Sequence, residues 1–353
     1  PLEAREGAHR ARAARGRQGV QQGARDDRRG HHRRFGADRP FVERGIAEEC
    51  AGLVPGQHAP AAVVSAHPGG APIGVRIQGQ REVGTAVTTV RPGQFVIGSF
   101  IASDNTCPHC RAGYQSGCAQ LAPVLGCQAE AIRVPLADGT LVPTPDTPSD
   151  EMLPDLLALS DVMGTGWYAA RAAGVAPGHT TVVVGDGAVG LSAVLAAKEL
   201  GAERIIALSR HADRQVLARE FGATDVVPER GAEAVARVRE MTGGVGADSV
   251  AECVGTDESL TTALDCARQG GGVGFVGVPH DVALPIARLF RNHVRLQGGS
   301  APVRNYLPDL ISRTYAGNFH PGRVFDLRLP LADVAQGYRA MDERQAIKAF
   351  LIP

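Results

Sequence analysis

Between residues 180 and 191 the chain reads Thr-Thr-Val-Val-Val-Gly-Asp-Gly-Ala-Val-Gly-Leu, and an alanine-rich stretch follows as far as Gly201. Few folds accommodate such a segment. A β-branched run ends abruptly on Gly185, Gly187 and Gly190, spaced G-x-G-x-x-G, and a helix opens at once. Gly185 suits a tight turn, Gly187 lets backbone approach a pyrophosphate, and Gly190 lets helix and strand pack closely. The first helical residues, Ala188 and Val189 among them, then present free N–H groups to phosphate. The motif is weak alone. It gains weight here because a strand precedes it, a helix follows, and another strand is expected at 204–208.

The flanking text repeats that alternation. Strands are predicted at 180–184, 204–208, 225–227, 248–252 and 272–276, and helices at 189–200, 212–221, 231–241 and 257–268. Alternating strands and helices imply an α/β fold with a doubly wound parallel sheet. A helical stretch is expected from Asp150 to Ala173. Upstream, Val83 opens a segment that alternates apolar and polar residues, turns at Pro92-Gly93 and resumes as a strand. Residues 131–144 read as strand, turn and strand, with Asp138-Gly139 as the turn.

The end of the second strand of a dinucleotide fold selects the cofactor. NAD enzymes place an acid there for the ribose 2′-OH. This chain has Ser209, then Arg210 and His211. A carboxylate would repel a 2′-phosphate, whereas Ser with Arg would bind it, so NADP(H) is the expected preference over NAD.

At 353 residues the chain has room for two domains, and its formal net charge is zero, with 44% apolar residues. Nothing in that balance draws it to nucleic acid or membrane. The basic arm up to Arg44 is interrupted by Asp26, Asp27 and Asp38. No apolar run has transmembrane length and no secretory signal is visible, so a cytoplasmic location is the default expectation. Of the 7 cysteines, three cluster with an acid as Asp104-x2-Cys107-x2-Cys110-x7-Cys118. Short spacing lets two thiolates face one ion, and a loop can return the third. Three thiolates and a carboxylate would make a closed, structural zinc site, with His109 an alternative to Asp104.

The segments SDNTCPHCRAGYQSGC, LSDVMGTGWYAA, TTVVVGDGAVG, AECVG (251–255) and the terminal IKAFLIP together resemble the zinc-containing medium-chain alcohol dehydrogenases, nearest the threonine or formaldehyde dehydrogenase-like branch. The likeness runs from about residue 83 onward. It implies a GroES-like, mainly-β catalytic domain (83–147 and 293–353, with the zinc lobe at 104–118) around a Rossmann domain (148–292). It implies hydride transfer between NAD(P) and a small alcohol, aldehyde or ketone, and a dimer or tetramer. It also implies roles. Asp161 would offer a carboxylate to a catalytic zinc, Thr165 would pack near the nicotinamide, Cys253 and Val254 would line the cofactor, and Lys348 would reach the pyrophosphate.

Residues 1–82 depart from the pattern. They are rich in Arg, Gly, Ala and His, without the period of a helix or strand. The Cys and Gly-His-Glu turns that the resemblance requires for a catalytic zinc are missing. Cys50, His58 and His67 stand near, and around residue 74 the text is PIGVRIQG. Three readings stay open: codons joined from another frame, a diverged zinc site using Cys50 and His67, or a zinc-free reductase. Under the first, this chain would be a catalytically impaired NADP(H)-binding protein.

Overall fold

The alternation of core residues along Thr180–Val184 (TTVVV) organises everything around it. Val182 and Val184 face one hydrophobic cluster and Val183 faces another, as the period of a strand dictates. The computed structural model describes residues 83–124, 127–129 and 131–353, together with the backbone of two strands, Ala61–Ser65 and Val75–Arg76. All of these belong to one unit, His58–Pro353. The arm up to Arg44, Cys50, His58 and His67 lie outside the described residues.

In chain order the strands are β1 (Ala61–Ser65), β2 (Val75–Arg76), β3 (Phe95–Gly98), β4 (Ile101–Ala102), β5 (Ala122–Pro123), β6 (Ala131–Pro135) and β7 (Leu141–Pro143). They pair antiparallel in small sheets: β1 with β6, β2–β3–β7, and β4 with β5. Two short helices, α1 (Pro108–Arg111) and α2 (Ala137–Thr140), interrupt them.

Two expectations need refinement here. Between Val83 and Val90 there is only an isolated bridge at Val83; the regular strand is Phe95–Gly98, after the turn in which Gly93 takes φ 89°. Residues 131–144 do read strand, turn and strand, but the two strands do not pair with each other as a hairpin would. β6 and β7 join different sheets, and Asp138 sits in α2, where its carboxylate accepts from the backbone N–H groups of Thr88 and Thr89 at 2.9 Å. That long-range staple competes with a local turn and wins.

The expected helix over 150–173 is two. Helix α3 (Leu153–Leu159) ends where Ser160 Oγ donates to the Leu157 carbonyl at 2.7 Å, and α4 (Val162–Ala173) begins after Asp161, whose backbone (φ −148°, ψ −82°) is not helical. The βα alternation then proceeds close to expectation: β8 (Thr180–Val184), α5 (Ala188–Glu199), β9 (Arg204–Leu208), α6 (Ala212–Glu220), β10 (Asp225–Val227), α7 (Gly231–Met241), β11 (Ala247–Glu252), α8 (Asp257–Cys266) and β12 (Ala267–Phe275). A short helix α9 (Ile286–Asn292) leads to β13 (Arg295–Gly298), which lies past residue 292, where the domain was expected to end.

The six strands are parallel, in the order β10-β9-β8-β11-β12-β13. That is the doubly wound order, which reverses direction between β8 and β11. Helices α4 and α5 cover the face of Val183, Ile205 and Ala207; α7 and α8 cover that of Val182, Val184 and Ile206. Contact between α4 and the sheet is close because β12 carries glycine: a Cβ on Gly274 would lie 2.1 Å from the Ala169 carbonyl. After α10 (Val303–Tyr315) the chain returns to the mainly-β part through β14 (Phe325–Pro330), α11 (Val334–Asp342) and β15 (Lys348–Ile352), and β14 pairs parallel with β15. Among the described residues no helix is long and apolar enough to cross a membrane.

Candidate functional site

The reversal of strand order opens a crevice at the carboxyl ends of β8 and β11, the place where such sheets bind ligands. Gly185 follows β8 with φ 114°, a backbone only glycine adopts readily. The chain then folds back so tightly that a Cβ on Gly190 would meet the Gly185 carbonyl at 2.0 Å. Ala188, Val189 and Gly190 form the first turn of α5, with Gly187 as its N-cap. A cavity of about 370 Å³ opens here, and Gly185, Gly187, Ser209, Arg210, Cys253 and Val254 line it. His211 lines it too, so seven of the residues expected at a cofactor, from three separate loops, meet in one cleft, and Lys348 does not join them.

Two partners in this cleft were missed in the sequence. Asp186, the variable position of the first G-x-G, has its carboxylate turned toward the end of β9. Its Oδ2 accepts from Ser209 Oγ at 3.0 Å and from the Arg210 backbone N–H at 3.2 Å. Arg214, one turn into α6, pairs with Asp186 Oδ1 at 3.3 Å. Burial pushes this carboxyl up, but the Ser209 hydrogen bond and the Arg214 charge outweigh it, and the group ends below the ordinary aspartate value. Asp186 is thus ionised and already neutralised. It orients Ser209 and Arg210 without presenting an unpaired carboxylate of its own to the cleft. The spacing of Arg210 and Arg214, four apart at a helix start, was the available signal for the latter.

A second cavity, of about 560 Å³, contains Asp161, Ser160, Phe100, Cys127, Phe325 and Lys348. The break between α3 and α4 places Asp161 there, and Thr165 Oγ1 donates to its Oδ1 at 3.3 Å. Lys348 lines this cavity rather than the one at the glycine turn. Among the described residues, Asp161 has no pair of histidine, cysteine or acidic neighbours with which to enclose an ion.

The cysteine lobe does form such a group. One ligand atom from each of Asp104, Cys107, Cys110 and Cys118 lies within 4.8 Å of the others, and His109 is not among them. The backbone N–H groups of Asp104 and Gln120 both donate to Cys118 Sγ at 3.3 Å. Burial raises the Asp104 carboxyl, but hydrogen bonds from the Cys107 and Thr106 amides bring it down to about 2. Hydrogen bonds from the Ala119 and Cys110 amides lower the Cys107 thiol, while burial and the adjoining thiols raise Cys110. Three soft thiolates and one hard carboxylate converging on one point fit zinc as a closed tetrahedral set. The lobe is tied to the dinucleotide fold where Ser116 Oγ donates to the Ser300 carbonyl at 2.7 Å, just past β13.

Known proteins share this fold and sequence pattern. The family model described as an alcohol dehydrogenase GroES-like domain matches residues 46–146, and that described as a zinc-binding dehydrogenase matches 188–314. The first match begins inside the segment that composition set apart. A zinc-type alcohol dehydrogenase B of Aspergillus flavus is 32% identical over 282 residues, which cover 76% of this chain and 65% of that protein, so the chain spans just under two thirds of that relative's length. An alcohol dehydrogenase of Cupriavidus necator is 32% identical over 286 residues, or 73% of this chain and 76% of that one. Among solved structures, the alcohol dehydrogenase TADH from Thermus sp. ATN1 aligns with a TM-score of 0.73 at 29% identity, covering 84% of this chain and 93% of that chain.

Proposed function

The chain belongs to the zinc-binding, medium-chain alcohol dehydrogenase family, and from that premise we propose that it moves a hydride between an alcohol carbon and a nicotinamide dinucleotide, preferring NADP(H). One observation carries the reading: the glycine turn, Ser209 and Arg210 share one cleft at the point where the strand order reverses. Free N–H groups at the start of α5 suit the diphosphate. Ser209 stands where a carboxylate would bond a ribose hydroxyl, and Arg210 offers a guanidinium to a 2′-phosphate. Val254 and Cys253 supply apolar surface beside the adenosine.

The cavity at Asp161 suits the reacting end. It is largely apolar, which keeps water from a hydride donor, and it carries the carboxylate of Asp161 and the ammonium of Lys348. Thr165 holds the Asp161 carboxylate in place through its hydroxyl. Zinc held by Asp104, Cys107, Cys110 and Cys118 would cross-link the lobe and expose no open position. A second zinc, where this family uses one, would supply Lewis-acid polarisation of an alcohol oxygen. Asp161 is the described residue suited to help hold it. Cys50 and His67 are further candidates outside the described residues.

Purified chain incubated with primary and secondary alcohols should reduce NADP⁺ in preference to NAD⁺, and a zinc chelator should abolish turnover. Reduction of neither dinucleotide by any alcohol, together with no oxidation of NADPH by aldehydes or ketones, would overturn the proposal.

A further inference from the structure

Helix α11 ends in a way that its sequence does not favour. The Gln345 N–H donates to the Ala340 carbonyl at 2.8 Å and the Arg344 N–H to that of Met341 at 3.2 Å. This six-to-one and five-to-two pattern is the Schellman closure, and it requires a left-handed residue just past the cap. Glycine usually fills that position in such closures because a Cβ there is strained. Here it is arginine, at φ 59°. The backbone therefore carries a strain that glycine would avoid.

Three further facts concern the same side chain. Arg344 is exposed, and among the described residues its guanidinium has neither hydrogen bond nor ion pair. It lines the adenosine cavity, although α11 belongs to the other, mainly-β part of the chain. Arg214 in that cavity is already committed to Asp186, whereas Arg210 and Arg344 are not paired among the described residues. A strained arginine with no partner among the described residues, lining a cleft that suits a nucleotide, is arranged for an anionic ligand.

We infer that Arg344 grips a phosphate on the adenosine half of the bound dinucleotide, and so links the mainly-β part of the chain to the nucleotide fold when the cofactor is in place. The inference rests on the reading that this cleft takes the dinucleotide. The shared chemistry is a phosphate dianion, from either the 2′-position or the diphosphate.

The test titrates the full chain and its Arg344→Gly variant with 2′,5′-ADP, ADP and adenosine by calorimetry, and compares their thermal unfolding. The variant should unfold at the same temperature or higher, since glycine suits the turn. It should nevertheless bind phosphate-bearing probes roughly ten- to a hundredfold more weakly, the range of a lost charge-assisted hydrogen bond. Adenosine should bind both proteins alike. A loss confined to 2′,5′-ADP assigns the grip to the 2′-phosphate, and a loss with both nucleotides assigns it to the diphosphate. Unchanged affinity in the variant, with or without a lower unfolding temperature, overturns the inference and leaves the cleft reading intact. Failure of the unaltered chain to bind either nucleotide overturns both.

Discussion

At the scale of single residues, the cleft depends on a few atoms whose replacement has calculable effects. Arg210→Ala removes a guanidinium that NADPH would use and NADH would not. Its affinity for NADPH should fall roughly tenfold or more, with NADH unchanged, as read by fluorescence titration. Equal losses for both dinucleotides would remove Arg210 from the 2′-phosphate. Gly190→Ala would drive a methyl group into the Gly185 carbonyl, 2.0 Å away. Overpacking of that kind costs about 1–3 kcal/mol, so the variant should unfold earlier in denaturant and lose cofactor affinity; wild-type values for both would contradict the turn geometry. The glycines were legible because their spacing is a local property of the backbone. Asp186 and Arg344 were not. The first acquires meaning only when β9 brings Ser209 to it, and the second only when α11 meets a cleft built from residues far earlier in the chain.

Secondary-structure elements show the same division. The βα units from Thr180 to Glu252 are legible nearly to the residue, because each strand alternates its core face and each helix follows a turn; β12 begins five residues earlier than expected, at Ala267. The mainly-β part was harder. Residues 131–144 look like a hairpin in isolation, yet the four hydrogen-bonding groups of Thr88 and Thr89 claim Asp138 and fold it into a helical turn. This staple makes a prediction about acid stability. Partial burial raises the Asp138 carboxyl, but those hydrogen bonds outweigh it and leave it below its ordinary value of 3.8. A lowered value in the folded state means the contribution is present above 3.8 and is lost as pH falls through the folded value. Asp138→Asn should therefore flatten the acid limb of a stability-against-pH curve, and an unaltered limb would dismiss the staple. The metal lobe belongs to this scale as well. Cys118→Ser removes a ligand and the acceptor of two amides, so mass spectrometry should find one zinc fewer per chain, with a lower unfolding temperature. Undiminished zinc would place the ion elsewhere.

For the whole molecule, the sequence spoke clearly about the dinucleotide fold and less clearly about the catalytic part. The segment up to residue 82 carries no periodic pattern, yet the GroES-like family match starts at residue 46 and two backbone strands of that region, β1 and β2, pair with β6 and β3 beyond it. Strand pairing there depends on partners near residues 95 and 133, which a local reading does not supply. What unites the parts is the crevice at the carboxyl ends of β8 and β11, lined by the glycine turn and by Arg344. Direct titration of the purified chain with NADPH and with NADH, followed by nicotinamide fluorescence, tests that union most plainly. Saturable binding of both, tighter for NADPH, is the predicted result; no binding of either would contradict the account at its centre.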